Sequence, residues 1–334
     1  MYPSAPAYIE NPKMLVMPYG HGGVRSFTGC GPANEIRGTG NTSFSTPPDG
    51  PGSRRSPAFE RPAPAPASDP RRAAAARVGE AMAGRTFAIG DIHGDLVHLL
   101  ALWDHLPAPD AGDTLVFLGD YVDRGPDSAG VVRWIREVLP LLTEARIVCL
   151  RGNHEDAWLR VIDQGWPEFV LPKGNGCRVC MTSFGVPETD TAALLDGAFW
   201  PPEVVAWMRE LPAWYEDEHA IYVHAGLPMK DGRWVHPSEA EPASALFWTR
   251  APAFFKTYDG KQIVVGHTPT DLLPPELSEH TLGDVEDVWV RGQVLATDTG
   301  CGKGGFLTAV ELPARTMYES RLLPGGGAVR TPAE

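Results

Sequence analysis

The sequence predicts an α/β fold, on three observations. From Arg85 onward, short apolar runs alternate with stretches of helical period. Five of the apolar runs end on a glycine beside an Asp, Asn or His. No internal repeat competes with this pattern, and no apolar run reaches the roughly 18 residues of a membrane span.

Residues 1–84 stand apart from that texture. They hold 13 prolines and 11 glycines, close to the density at which structureless composition is expected. Pro62-Ala63-Pro64-Ala65-Pro66 is a stiff, extended linker type. This arm is expected to be disordered, and Met82, just ahead of the first strand, is a candidate true start. The arm carries 9 basic and 6 acidic residues and the remainder 20 and 36, so a formal charge of −13 hides a still more acidic body. Bulk nucleic-acid binding needs a basic footprint and is not expected. Any phosphate site must make its own local positive field.

Five cysteines in 334 residues do not form a disulfide framework. Cys177-Arg178-Val179-Cys180 has no second pair and reads as two small apolar side chains. The N-terminus lacks a basic stretch followed by an apolar one. The expected compartment is the cytoplasm, with neither membrane nor nucleic acid as partner.

Thr86–Ile89 reads as the first strand. Asp95–Leu106 follows as a helix, with Leu96, Leu99, Leu100 and Trp103 on one face. Leu115–Leu118 is the second strand, a helix capped by Ser128 runs to about Leu142, and Arg146–Leu150 is the third strand. Residues 155–163 and 202–211 read as helices around a loop-rich stretch, and 156–212 is expected to be a cap or insertion over the site. Later strands are expected at Ile221–Val223, Ile263–Val265, Val288–Thr297, Phe306–Leu312 and Met317–Leu322. They close a catalytic domain over 85–325 and leave 326–334 as a disordered tail.

The chemistry stands at the strand ends. Ile89 is followed by Gly90-Asp91-Ile92-His93, Leu118 by Gly119-Asp120, and Leu150 by Arg151-Gly152-Asn153-His154. Val223 is followed by His224, and Val265 by Gly266-His267. In α/β folds sites lie beyond the carboxyl ends of strands. Asp91 and His93 are two apart, so on extended backbone they point the same way. Asp, His and Asn without thiolate suit manganese, iron or zinc better than calcium or a structural zinc. So many ligands exceed what one open ion uses, whereas two ions about 3.5–4 Å apart can share a carboxylate. The other histidines (His21, His98, His105, His219, His236, His280) lack this setting and read as structural. Gly300-Cys301-Gly302-Lys303-Gly304-Gly305 lacks the Lys-Ser/Thr ending of a phosphate loop and reads as a tight turn.

Gly90–Gly94 (GDIHG), Gly119–Gly125 (GDYVDRG), Arg151–Glu155 (RGNHE), His224–Gly226 (HAG) and Gly266-His267, in this order, resemble the bacterial-type, metal-dependent phosphoprotein phosphatases of the calcineurin-like metallophosphoesterase superfamily. The resemblance covers roughly residues 85–312. It implies a four-layer fold, a central β-sandwich of mixed sheets flanked by helices. It implies that Asp91 and His93 bind a first metal, that Asp120 bridges, and that Asn153, His224 and His267 bind a second. It makes His154 the general acid oriented by Asp123, and Arg124 and Arg250 the phosphate-binding arginines. The two ions are expected to be manganese, with iron or zinc as alternatives.

Two substrate classes share this superfamily. Tyr121, Asp123 and Glu155 take the form seen in protein phosphatases, so the expected activity is a serine/threonine protein phosphatase acting on a phosphoprotein or a phosphorylated small molecule. The alternative is a symmetrical diadenosine-tetraphosphate hydrolase. The stretch 175–182, with Cys177 and Cys180, departs from the bacterial pattern, and Trp248 is a candidate wall of the cleft.

Overall fold

Side chains alternate along each strand, and here both faces of most strands are buried. Phe87 and Ile89 face one apolar cluster, and Ala88 between them faces another. Leu115 and Phe117 split from Val116 in the same way. In a second set of strands Ile263 and Val265 split from Val264, and Val294 and Ala296 from Leu295. A strand covered on both sides reads as a continuous apolar run, and these residues do.

The computed structural model describes residues 84–280, 284, 286–321 and 329–330. The arm expected over 1–84, Gly84 excepted, and Met82 lie outside the described residues. In chain order, β1 (Thr86–Ile89) leads to α1 (Leu96–His105), β2 (Thr114–Phe117), α2 (Ser128–Arg133), a π-helical turn (Trp134–Val138), α3 (Leu139–Leu142) and β3 (Arg146–Cys149). A run of helices follows: α4 (Asn153–Gln164), α5 (Pro167–Val170), α6 (Cys177–Ser183), α7 (Thr191–Asp196) and α8 (Pro202–Glu210). Next come β4 (Trp214–Glu216), β5 (Ile221–Val223), a small hairpin of β6 (Met229–Lys230) and β7 (Arg233–Trp234), α9 (Ala245–Trp248) and α10 (Pro252–Thr257). The last elements are β8 (Ile263–Val265), β9 (Trp289–Arg291), β10 (Val294–Ala296), β11 (Thr308–Leu312), β12 (Thr316–Glu319) and β13 (Val329–Arg330).

One sheet has the order β13-β12-β11-β1-β2-β3 and the other β4-β5-β8-β10-β9. Their inner faces meet over Ala88, Val116, Tyr222, Val264, Leu295 and Val310. Helices α1 and α2 cover the outer face of the first sheet through Leu99, Leu102, Val131 and Val132. Helices α9 and α10 cover the second through Leu246, Phe247, Phe254 and Phe255. This is the expected sandwich between helical layers. Within each sheet the site-bearing strands are parallel neighbours: β1 with β2, β2 with β3, and β5 with β8. Their carboxyl ends therefore open on the same edge.

Several local expectations need correction. Ser128 is not the cap of α2. Asp127 is, its carboxylate accepting from Gly130 N at 2.8 Å, while the Ser128 hydroxyl faces Asp123 N at 3.0 Å. The helix expected to run unbroken to Leu142 opens into a π turn, with Leu139 N–H reaching back to the Trp134 carbonyl. Pro140 has no N–H, and its ring crowds the carbonyl four residues earlier, so the turn ahead of it widens. Val288–Thr297 is not one strand. Gly292, at φ 55°, turns it into the β9–β10 hairpin. Strand β4, unmarked by any clear alternation, forms the edge of the second sheet. Within the stretch expected as a disordered tail, Val329–Arg330 pairs antiparallel with β12. Among the described residues no helix is long and apolar enough to cross a membrane.

Candidate metal centre

The strand exits converge because the backbone there turns sharply and is held in place. His93, Asp120, Asp123, Arg124 and His267 have φ of 49°, 52°, 71°, 67° and 64°. Non-glycine residues visit this left-handed region rarely, at about 1 kcal/mol or more each, and such residues gather at functional sites. A lattice of main-chain bonds sustains them: His93 N and Ile92 N to Asp120 O (2.8 and 3.1 Å), Gly94 N to Tyr121 O (2.9 Å) and Gly125 N to His93 O (2.8 Å). Two glycines permit the close approach. A Cβ on Gly266 would collide with Asp91 Oδ1, and one on Gly152 with the Asp120 backbone and carboxylate.

Two buried groups suited to a metal ion share one carboxylate: His93, Asp120 and His154, and Asp120, His224 and His267. Asp120 Oδ2 lies 3.3 Å from His93 Nε2, and Oδ1 lies 3.4 Å from His224 Nε2. Asn153 Oδ1 lies 3.0 Å from His224 Nε2 and 2.7 Å from His267 Nδ1. His93 Nδ1 faces Val122 O at 3.1 Å and His224 Nδ1 faces Leu118 O at 3.0 Å. A carbonyl only accepts, so both rings carry hydrogen on Nδ1 and present an Nε2 lone pair inward. Lone pairs thus face carboxylate and carboxamide oxygens, an arrangement that calls for cations between them. His267 Nε2 is buried without a hydrogen-bond partner, and the Arg124 guanidinium donates to His93 Nε2, putting positive charge where a cation would act.

Electrostatics agree with that fit. Burial lowers the pKa of His93, His224 and His267, the last to about 2, with Arg124 adding to the effect at His93. The three rings are neutral and able to ligate. Burial raises Asp91, helped by Asp298 and Asp120. Burial also pushes Asp120 up, but His224, His154, His93 and Arg124 more than reverse it. Charge on His93 and His224 cannot act on Asp120 while burial keeps those two rings neutral. The Val122 and Leu118 carbonyls pull the other way, raising His93 and His224, but burial outweighs them, and Arg124 remains a firm source of pull.

Asp91 stands at the edge of this cluster, its Oδ2 3.8 Å from His93 Nε2 and its carboxylate accepting from His267 N at 3.1 Å. His154, at the start of α4, donates its backbone N–H to Asp120 Oδ1 at 2.9 Å. Its Nδ1 meets Asp123 Oδ2 at 2.6 Å, which leaves Nε2, 3.9 Å from Asp120 Oδ2, aimed at the cluster. Arg124 is half-buried beside it. Arg250 is exposed and sits at the mouth, where its charge helps lower His224 and His267. The structure therefore brings every expected site residue to one edge of the sandwich and holds Arg250 farthest out. The expected structural histidines point elsewhere: His98 bonds Ser320, His105 the Glu319 carbonyl and His219 the Gly84 carbonyl.

Sequence reasoning missed four contributors. Trp158 Nε1 donates to both Asp123 oxygens (3.1 and 3.0 Å); its place four residues after His154 on one helix was the available signal. Glu155 accepts from Asp120 N, Tyr121 N and Gly152 N at 2.9–3.0 Å, while burial and Asp120 push it up to about 8. Asp298, just past β10, is buried with Oδ2 unpartnered. Gly176 packs its backbone on that of Arg124, so the unusual stretch 175–182 presses on the site. In it, burial and then Asp123 raise the Cys177 and Cys180 thiols. These are inert packing groups, as their sequence suggested.

A family model described as calcineurin-like phosphoesterase matches residues 84–271. The chain belongs to this family. Calcineurin-like phosphoesterases use a dinuclear metal centre, and the two groups sharing Asp120 are the residues that fit one. Among proteins similar to this phosphoesterase is one from Nitrosospira multiformis, 25% identical over 289 residues, spanning 72% of this chain and 97% of its own. Another, from Dechloromonas aromatica, is 27% identical over 70% of this chain and 95% of its own. Both are named bis(5'-nucleosyl)-tetraphosphatase, symmetrical. A Caenorhabditis elegans protein named "Putative serine/threonine-protein phosphatase" is 46% identical, over only 26% of this chain and 18% of its own. Among solved structures, a metallophosphoesterase from Sphaerobacter thermophilus is 18% identical with a TM-score of 0.41, covering 71% of this chain and 87% of its own.

Proposed function

We propose that this phosphoesterase hydrolyses dinucleoside polyphosphates symmetrically, with the two groups that share Asp120 as the residues that would hold two divalent ions. One observation carries the reading: the relatives named as symmetrical tetraphosphatases align over 72% and 70% of this chain and nearly all of their own length. That span takes in far more than the shared motifs. The donor set suits manganese first, with iron or zinc as alternatives. His93, Asp120 and Asp91 would hold one ion, and Asp120, Asn153, His224 and His267 the other. Bound there, the ions supply hydroxide near neutral pH and positive charge for the phosphoryl oxygens.

The chain's own residues do the rest. Arg124, locked in the left-handed turn beside Gly125, binds the phosphoryl oxygens as they gain charge. Asp123 engages His154 Nδ1 at 2.6 Å, so the Nε2 proton is the one aimed at the leaving oxygen. Trp158 keeps Asp123 from turning away. Arg250, at the mouth, meets the substrate before or beside the phosphoryl group.

A second reading, a serine/threonine protein phosphatase, is favoured by the short, high local identity to the nematode protein. The two separate on kcat/KM for diadenosine tetraphosphate, a phosphothreonine peptide and p-nitrophenyl phosphate, each with manganese and with chelator. The dinucleotide is expected at least about tenfold ahead of the peptide, a typical reach of binding discrimination, with all activity lost to chelator. A preference for the peptide would put the second reading first.

A further inference from the structure

The turn Gly300–Gly305 joins β10 to β11 and is wound tightly by left-handed glycines, Gly300, Gly302 and Gly304, at φ of 77°, 75° and 95°. Lys303 N and Gly305 N both donate to the Gly300 carbonyl at 3.0 Å. A Cβ on Gly302 would come within 2.6 Å of both Cβ and O of His93, so the turn lies directly against a residue of the metal cluster. Cys301 is buried beneath it and Lys303 is exposed at its tip. Lys303 lines a cavity of about 300 Å³ with Asp298, Thr299 and the loop 269–272 that follows His267. Arg250 lines an adjoining cavity of about 460 Å³, which shares Asp271 and Leu272 with the first. There the buried Thr268 hydroxyl has no hydrogen-bond partner.

Elsewhere in this acidic body some cations find carboxylates: Arg85 pairs with Asp113, Arg160 with Asp156, Arg209 with Asp163 and Lys261 with Glu216. Among the described residues Arg124, Arg250 and Lys303 form no such ion pair, although they gather at one site. Burial and then Arg124 push the Lys303 amine down, with Arg250 adding to the effect, against Asp298 and Asp91. Three cations gathered at one site without an ion-pair partner of their own repel one another, and an anionic ligand relieves that. A single phosphoryl group is already accounted for by the ligand cluster and Arg124. Lys303 is surplus to it. Asp271, Glu286 and Asp298 also line its cavity, so an anion there is confined to the lysine tip and kept off the acidic wall.

We propose that Lys303 is a specificity residue that binds a phosphate next to the one under attack, which makes the site one for a polyphosphate chain and not for an isolated monoester. This rests on the dinucleoside-polyphosphate reading and names the residue behind its preference. The test uses the manganese-loaded full chain, its Lys303→Ala variant and its Lys303→Arg variant. Lys303→Ala is expected to raise KM for diadenosine tetraphosphate about tenfold, as loss of one charged hydrogen bond does, and to leave kcat/KM for p-nitrophenyl phosphate within about twofold. Lys303→Arg is expected to restore most of the loss. In calorimetry, ADP binding is expected to weaken by the same factor and orthophosphate binding to stay as it was, a comparison open whichever substrate is cleaved. A wild-type chain that does not cleave the dinucleotide overturns the proposed function. Unchanged ADP binding in Lys303→Ala, or equal weakening for ADP and orthophosphate, overturns the Lys303 assignment.

Discussion

Asp120→Asn is expected to lose bound metal and activity together, with kcat/KM down by about 10²–10³-fold or more. Loss of an outer-shell partner alone costs about 10–100-fold in such sites, and Asp120 is shared by both buried groups. Its two oxygens face His93 and His224 at 3.3 and 3.4 Å. An asparagine has one oxygen and one NH₂ group, so one face would offer a donor where a cation must bind. Metal analysis of the purified variant beside its rate checks this. Circular dichroism guards against misfolding, since Asp120 also accepts the His154 backbone N–H. A folded variant with two metals and a near wild-type rate would remove the bridging role.

His154→Gln is expected to keep its metal and lose kcat in proportion to how badly the leaving group needs a proton. General-acid catalysis contributes about 10²–10⁴-fold, and the full effect belongs to a strongly basic alkoxide such as that of phosphothreonine. A nucleoside diphosphate or p-nitrophenolate leaves as a far weaker base, so losses on the dinucleotide and the aryl ester are expected to be smaller. Asp123→Asn should follow the same ranking with smaller losses, because it disturbs the ring that Asp123 engages at 2.6 Å without removing the proton donor. The ratio of alkyl to aryl losses is the readout. Equal losses on both would mean that His154 acts on something other than the leaving group.

These residues also show what was legible in the sequence. Strand exits are written locally, in an apolar run, a glycine and a polar side chain, so Asp91, His93, Asp120, Asn153, His224 and His267 stood out before any strand was paired. Contacts closed over long separations did not. Lys303 sits at the opposite end of the chain from His93, and only the placement of β11 beside β1 brings its turn onto that ligand. The hairpin at Gly292 and the opened turn before Pro140 depended on single residues whose effect shows only against their neighbours.

The sequence features that favour a protein phosphatase are Tyr121, Asp123 and Glu155. In the structure Tyr121 donates its hydroxyl to the Leu150 carbonyl at 2.7 Å, and Glu155 cradles three backbone N–H groups. Both are buried builders of the Asp120 turn. They tell how the metal centre is assembled and little about what enters it. In the reading proposed above, substrate choice falls instead to residues at the mouth, Arg250 and Lys303, which form no ion pair among the described residues.

The most direct measurement is the product pattern from diadenosine tetraphosphate with the manganese-loaded chain, resolved by anion-exchange chromatography. The account predicts ADP as the sole nucleotide product. AMP with ATP, or an intact dinucleotide under conditions where the phosphothreonine peptide is cleaved, would contradict it.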